Sequence, residues 1–167
     1  MLKKSVVAIT AFSIIAAGTA FAAAVPQKTS VAADEQCYKA EQLITLDKQK
    51  VAGGQGTLYG KFAFIRTAAA PEQAIKEIGW MTLKPGASIG SHKHYVNEDT
   101  YIIISGHGVF TDEKGVKTEV SKGDITIARP GQSHALANNS REPLVFLDVI
   151  AQNDSYQQNH PNAQPKK

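Results

Sequence analysis

The chain has a single cysteine, Cys37, among its 167 residues. One thiol cannot form a disulfide within the chain, even in an oxidising compartment, so the fold has no internal covalent cross-link. Cys37 is either a plain thiol or the point of a link between two chains. We expect a plain thiol, buried or half-buried, and keep a homodimer as the candidate assembly.

An excess of basic charge is also missing. The formal net charge is +3, and two of the lysines, Lys3 and Lys4, lie in a leader at the amino terminus. The mature chain is then close to neutral. The sequence has no run of basic residues and no interleaving of basic with aromatic residues, so it gives no support to a nucleic-acid partner.

Long apolar runs are scarce, and the one at the amino terminus is short. Residues 5–20 follow Lys3 and Lys4, and Ala20-Phe21-Ala22 ends the run with a small-x-small pattern. This order is typical of a secretory signal peptide over residues 1–22. No stop-transfer pattern follows, and no cysteine follows that would carry a lipid. We expect a periplasmic or secreted bacterial protein without a membrane anchor.

The remaining sequence has the pattern of one small all-β domain. Short β-branched and aromatic runs alternate with turn residues, which is typical of a sandwich or barrel. We assign residues 53–152 to this domain. Residues 23–52 form an arm or linker, in which 33–48 are either a short helix or a segment that packs on a neighbour. Residues 153–167 are too polar to bury a core, so we expect a disordered tail. The predicted strands cover residues 57–65, 78–83, 100–105, 108–111, 116–120, 125–127 and 144–151.

Three of the five histidines have the spacing of a metal site. His92 and His94 are two residues apart, so both imidazoles point to the same face of a strand. His134 lies 40 residues after His94 and follows a Pro-Gly turn. Neutral imidazoles with a nearby carboxylate bind divalent transition metals. His107 and His160 have no partner at such a spacing, and we expect both to be solvated.

The histidines lie in two segments that resemble the paired motifs of the cupin superfamily. The first motif is a glycine, His-x-His, a carboxylate and a second glycine, and the second motif is Gly, Pro-x-Gly, His and Asn. The residues that match both motifs in order and spacing are Gly86, His92, His94, Gly106, Gly123, Gly131, His134 and Asn138. The proline differs, because Arg129 holds its position and Pro130 follows. The resemblance covers residues 75–152.

This resemblance implies a jelly-roll β-barrel that holds a metal through His92, His94, His134 and one carboxylate. Four protein ligands would leave two positions of an octahedral ion open for water, dioxygen or a chelating substrate. Manganese and iron accept six ligands, whereas zinc prefers four. We therefore favour manganese or iron, with zinc, nickel and copper as the other candidates.

Two acidic residues compete for the place of the family's carboxylate, which is usually a glutamate. Asp99 satisfies the spacing to both His94 and Gly106, whereas Glu98 leaves one residue too many before Gly106. Asp99 also shares a strand face with Tyr101, on the side that the family turns inward. We favour Asp99 as the ligand.

The function implied by the resemblance is a metal-dependent reaction on a small organic molecule, since related cupins include dioxygenases, decarboxylases and isomerases. Tyr101 and Glu98 are the candidates for a catalytic role. The alternative is a non-catalytic protein that binds or senses a small ligand or a metal. The side chains that we expect to line the barrel interior are Trp80, Ile103, Phe110, Ile127 and Phe146.

We predict that the exported protein begins at Ala23 or Val25, because cleavage follows either Ala22 or Ala24. Intact-mass spectrometry of the protein released from its own cells measures the start directly. A membrane-bound product that retains Met1 would contradict the export prediction.

Overall fold

The computed structural model describes residues 35–152 and four exposed positions of the tail, namely Gln158, Asn159, Pro161 and Asn162. The predicted signal peptide, the first part of the arm, His160 and the rest of the tail lie outside the described residues. Within the described part of the chain, no helix is long and apolar enough to cross a membrane.

The described residues fold into short strands, with 3-10 turns at Ala40–Gln42 and Val51–Gly53. The strands are β1 (Ile44–Thr45), β2 (Lys48–Gln49), β3 (Thr57–Phe64), β4 (Ile75–Leu83), β5 (Ser88–Lys93), β6 (Asn97–Ser105), β7 (His107–Thr111), β8 (Lys117–Ser121), β9 (Ile125–Ala128), β10 (Ser133–Ala137) and β11 (Leu144–Gln152). Every predicted strand is present, and most extend one to three residues beyond the predicted bounds.

The strands form two antiparallel sheets that pack face to face. One has the order β1-β3-β4-β11-β6-β9, with β2 also paired to β3, and the other has the order β5-β10-β7-β8. Both sheets contribute to one core, whose fully buried side chains include Phe62, Met81, Leu83, Leu136 and Phe146. The predicted all-β jelly-roll barrel is therefore confirmed.

Strand alternation decides which apolar side chains face the interior, and it contradicts two of the predictions. Trp80 is 45% exposed, because its neighbours Gly79 and Met81 take the inward positions of β4. Ile127 is 38% exposed, because the smaller Thr126 and Ala128 face inward from β9. Both lie on the outer face of the larger sheet.

The other three apolar residues that we predicted to line the interior are buried or half-buried. Ile103 and Phe146 are fully buried, which confirms them as interior residues. Phe110 is half-buried and packs against the core. The homodimer stays a prediction.

The arm joins the larger sheet of its own chain. Its strands β1 and β2 both pair with β3, so strand pairing begins at Ile44, well before residue 53. The described part of residues 33–48 contains a 3-10 turn in place of a longer helix. Tyr38 packs against the core, whereas Cys37 next to it is exposed. The expectation of a buried or half-buried thiol was wrong, because the arm contacts the barrel through alternate side chains. His107 is exposed, as expected.

Two residues of the matched motifs close the end of the barrel that lies away from the histidines. Gly106 has φ +83° and ends β6, where a Cβ would lie 2.3 Å from the carbonyl oxygen of Pro143, so only glycine fits there. Asn138 is 1% exposed. Its amide donates to the carbonyl oxygens of Leu83 and Glu142, each at 2.8 Å, and its Oδ1 accepts from Ser140.

We predict that Asn138→Ala lowers the free energy of unfolding by about 2–4 kcal/mol, because the change leaves two carbonyl oxygens without their donor. Its neighbour Asn139 is exposed. Asn139→Ala is therefore the matched control and should change stability by less than about 0.5 kcal/mol. Urea unfolding followed by circular dichroism measures both, and equal effects would contradict the structural role of Asn138.

Candidate metal centre

Two paired strands present the three histidines. β5 and β10 run antiparallel, and His92 lies directly opposite His134. His94 follows the end of β5, and its backbone N–H donates to the carbonyl oxygen of Gln132 at 2.9 Å, which continues the pairing. The i, i+2 spacing keeps His94 on the same side as His92. Asp99 comes from the opposite sheet, near the start of β6.

Four donor atoms of these residues converge. The Nε2 atom of His134 lies 3.1 Å from that of His94 and 3.2 Å from that of His92. Asp99 Oδ2 lies 3.3 Å from Nε2 of both His94 and His134, and 3.9 Å from Nε2 of His92. All four donor atoms lie within 4.8 Å of one another. The structure thus brings together His92, His94, Asp99 and His134.

The hydrogen bonds of Nδ1, the outer nitrogen of the His92 and His94 rings, determine whether Nε2, the inner nitrogen, carries a lone pair or a hydrogen. His92 Nδ1 lies 3.0 Å from the carbonyl oxygen of Gly90, and His94 Nδ1 lies 3.1 Å from Asn97 Oδ1. Both oxygens only accept, so each Nδ1 carries the hydrogen in the neutral ring. Each Nε2 then turns a lone pair toward the centre of the cluster. Lone pairs at this separation repel one another unless a cation lies between them.

The spacing of the donors also suits one metal ion. Two ligand atoms each ~2.1 Å from an ion lie roughly 3.0 Å apart in an octahedral site and roughly 3.4 Å apart in a tetrahedral site. The shorter distances of the cluster match both arrangements. The donor set of three imidazoles and one carboxylate is one that divalent first-row metals bind.

The buried location sets the electrostatics of the cluster. Burial alone would raise the pKa of Asp99, but the imidazoles of His134, His92 and His94 outweigh it and hold that pKa far below its usual value. Burial lowers the pKa of His134, and the Asp99 carboxylate offsets this only in part. For His92 burial also lowers the pKa, but hydrogen bonds to Asp99 and Gly90 outweigh it, and the pKa is raised. Asp99 is therefore the anionic member of the cluster.

One polar residue beside the cluster is not among the predicted site residues. Asp148 is 7% exposed and lies diagonally across from Asp99, on the inward face of β11. Burial, followed by the charge and hydrogen bond of Asp99, raises its pKa well above the usual value, so Asp148 is the member of this pair that retains a proton more readily. A signal was available, because Asp148 interrupts the inward apolar series of Leu144, Phe146 and Ile150.

The two residues singled out for catalysis lie in different places. Tyr101 is 2% exposed, stacks on the ring of His134, and places its hydroxyl oxygen 3.5 Å from His134 Nε2. Burial, followed by the charges of Asp99 and Asp148, raises the pKa of Tyr101 well above 10, so the phenol is neutral. Glu98 is exposed, and the structure does not bring it to the cluster. Phe110 packs edge-on against His134, with the ring centroids 5.8 Å apart.

An antiparallel barrel with a His-x-His segment, a carboxylate and a third histidine at its mouth is the architecture of the cupins. The sequence profile described as "Cupin domain" matches residues 79–150. An oxalate-binding protein of Thermotoga maritima is 34% identical over 98 residues, which is 59% of this chain and 78% of that protein. The chain belongs to the cupin domain family and contains a single such domain.

Two further relatives extend the comparison. A gentisate 1,2-dioxygenase of a Ralstonia species is 34% identical over 73 residues, which is 44% of this chain but only 20% of that enzyme. The crystal structure of a predicted oxalate decarboxylase from Thermotoga maritima superposes with a TM-score of 0.62 at 28% identity, over 69% of this chain and 97% of that one.

We predict that Asp99→Ala weakens Mn²⁺ binding by about tenfold or more, because the change removes the anionic donor of the cluster. Glu98→Ala is the matched control, since it removes the adjacent carboxylate from the outer side of the same strand. Titration of both metal-free variants with Mn²⁺ beside the unaltered protein measures the effect. If Glu98→Ala weakened binding more than Asp99→Ala, the assignment of the carboxylate would be wrong.

Proposed function

We propose that the exported protein holds one divalent transition metal through His92, His94, Asp99 and His134 and uses it to bind a small carboxylate ligand. The observation that carries this proposal is the convergence of the four donor atoms at a site that is open on one side. The side chains of His94, His134 and Asp99 are almost completely buried, whereas that of His92 is 28% exposed. A ligand therefore approaches from the His92 side.

The charge of the site favours an anion. Three neutral imidazoles and one carboxylate around a divalent ion leave a net charge of about +1. When bound, such an ion polarises a carboxylate or carbonyl oxygen, or activates dioxygen. Manganese or iron suits a site with open positions, and nickel, copper or zinc can replace them after overexpression because their intrinsic affinity is higher.

The named relatives support a chelating carboxylate as the ligand. One relative is described as oxalate-binding and another as a gentisate dioxygenase. Oxalate carries two adjacent carboxylates, and gentisate carries a carboxylate beside a hydroxyl. Both therefore offer two oxygens to the same ion, and two positions remain open on a six-coordinate ion with four protein ligands.

Turnover of the bound ligand is the second candidate function, and the position of Tyr101 favours it. The neutral phenol lies against the cluster and is able to donate a hydrogen bond to a ligand oxygen. Oxygen uptake or product formation by the metal-loaded protein separates an enzyme from a binding protein. Glu98 has no part in this proposal, because it faces solvent.

We predict that oxalate binds the Mn²⁺-loaded protein at least about 100-fold more tightly than the metal-free protein, a difference of ~2.7 kcal/mol. Isothermal titration calorimetry measures both affinities, and elemental analysis after the titration checks that oxalate has not removed the metal. The control is His92→Ala/His94→Ala, which should lose the metal and the tight binding together. Equal oxalate affinity with and without metal would contradict the proposal.

A further inference from the structure

A buried carboxylate next to the metal centre holds two cations. Glu77 is 5% exposed. Its two oxygens lie 3.6 Å from Lys48 Nζ and 3.6 Å from Arg66 Nε. Ion pairs that are also strong hydrogen bonds are shorter, at about 2.7–2.9 Å. One carboxylate therefore balances two cations, and neither cation is used up by a close hydrogen bond to it.

The strand register places Glu77 at the same end of the barrel as the metal centre. Lys48 reaches the Glu77 carboxylate from β2, whose backbone pairs beside Leu58 nearer the other end. In the larger sheet Ile150 pairs with Glu77 on one side and with Asp99 on the other. Partners in an antiparallel register point to the same face, so Glu77 and Asp99 share the inward face and lie two strands apart, roughly 10 Å between their Cα atoms. Arg66 follows the end of β3 that lies beside them.

Both cations are accessible. The side chain of Arg66 is 54% exposed and that of Lys48 is 35% exposed, so both are open to solvent while they lie beside the buried Glu77 carboxylate.

A third cation in the same stretch is not available. Lys76 is buried at the irregularity in β4, and its Nζ donates to the carbonyl oxygens of Ala70 and Pro71 at 3.0 Å and 2.7 Å. Of these three cations, Lys48 and Arg66 are the two whose side chains reach solvent beside Glu77. Lys48 Nζ also lies 4.9 Å from the centroid of the Phe62 ring. The group of Lys48, Arg66 and Glu77 has a net charge of +1.

We propose that Lys48 and Arg66 bind the second acidic group of a dianionic ligand whose first carboxylate lies on the metal. This inference rests on the proposed function. The ligand class is a 2-hydroxy- or 2-oxo-dicarboxylate, because the oxygen beside the first carboxylate completes a chelate and the carbon chain carries the second carboxylate toward the two cations. Arg66 is suited to this role, since its planar guanidinium binds a carboxylate through two parallel hydrogen bonds.

Malate and lactate form the matched pair of probes. Both are 2-hydroxy acids that chelate in the same way, and malate differs by its additional carboxylate. We expect the Mn²⁺-loaded protein to bind malate about tenfold or more tighter than lactate, as one additional charge-assisted contact provides. Arg66→Gln and Lys48→Gln should each reduce this preference severalfold, while the Mn²⁺ content and the lactate affinity stay unchanged.

Arg141→Gln is the control for a change of the same charge, because Arg141 is exposed in the turn beside Asn138, at the other end of the barrel. It should leave the preference for malate intact. Arg66 is more than half exposed, so we expect Arg66→Gln to fold. This variant tests the proposal even if Lys48→Gln does not fold. Calorimetry with both acids, at equal ionic strength, provides the affinities.

The same measurements distinguish a failure of the proposed function from a failure of the role of the two cations. If neither acid binds the metal-loaded protein and oxalate does not bind either, the proposed function fails. If lactate binds but malate has no advantage, or if Arg66→Gln leaves that advantage intact, the proposed function stands and the role of the two cations is wrong.

Discussion

The site depends on one physical constraint, which is that three imidazole nitrogens and one carboxylate oxygen are held close together in a buried location. The Gly90 carbonyl and the Asn97 amide oxygen hold hydrogens on the outer nitrogens of His92 and His94, so the inner nitrogens turn lone pairs toward each other at 3.1–3.2 Å from His134. Buried groups in such an arrangement are costly unless a cation joins them. A divalent cation bound by these four atoms would satisfy all of them together.

The rest of the fold keeps these atoms in place from two independent directions. The β5–β10 pairing fixes His92 opposite His134, while β6 brings Asp99 from the other sheet. At the far end Asn138 ties β10 to the end of β4 and to the turn before β11, through the carbonyl oxygens of Leu83 and Glu142. The strand β10 therefore has His134 near one end and is followed by Asn138 at the other, which explains why both residues fall within one motif.

Local pattern was enough to predict the barrel and most of what surrounds the histidines. Alternation shows that Asp99 and Glu98 point to opposite faces, and the resemblance to the family motif indicates that the Asp99 face is the inward one. Alternation read without partners fails for Trp80 and Ile127, since only the neighbours across the sheet show which face is the core. The roles of Asp148 and Glu77 are harder to predict from the sequence. Each lies within a strand of the larger sheet, and its role depends on residues that the fold brings together from distant positions.

This division has a consequence for function. The histidines and the carboxylate form a group that could hold a metal, and one fold can use such a group for many reactions, so these residues do not distinguish one ligand from another. Discrimination must come from groups outside the motifs that share the same inward face. Asp148 beside Asp99, and Lys48 and Arg66 on Glu77, are such groups. In the proposed complex the ion and Asp99 leave about one positive charge, and Lys48, Arg66 and Glu77 together add one more, so the preferred ligand is a dianion and not a monoanion.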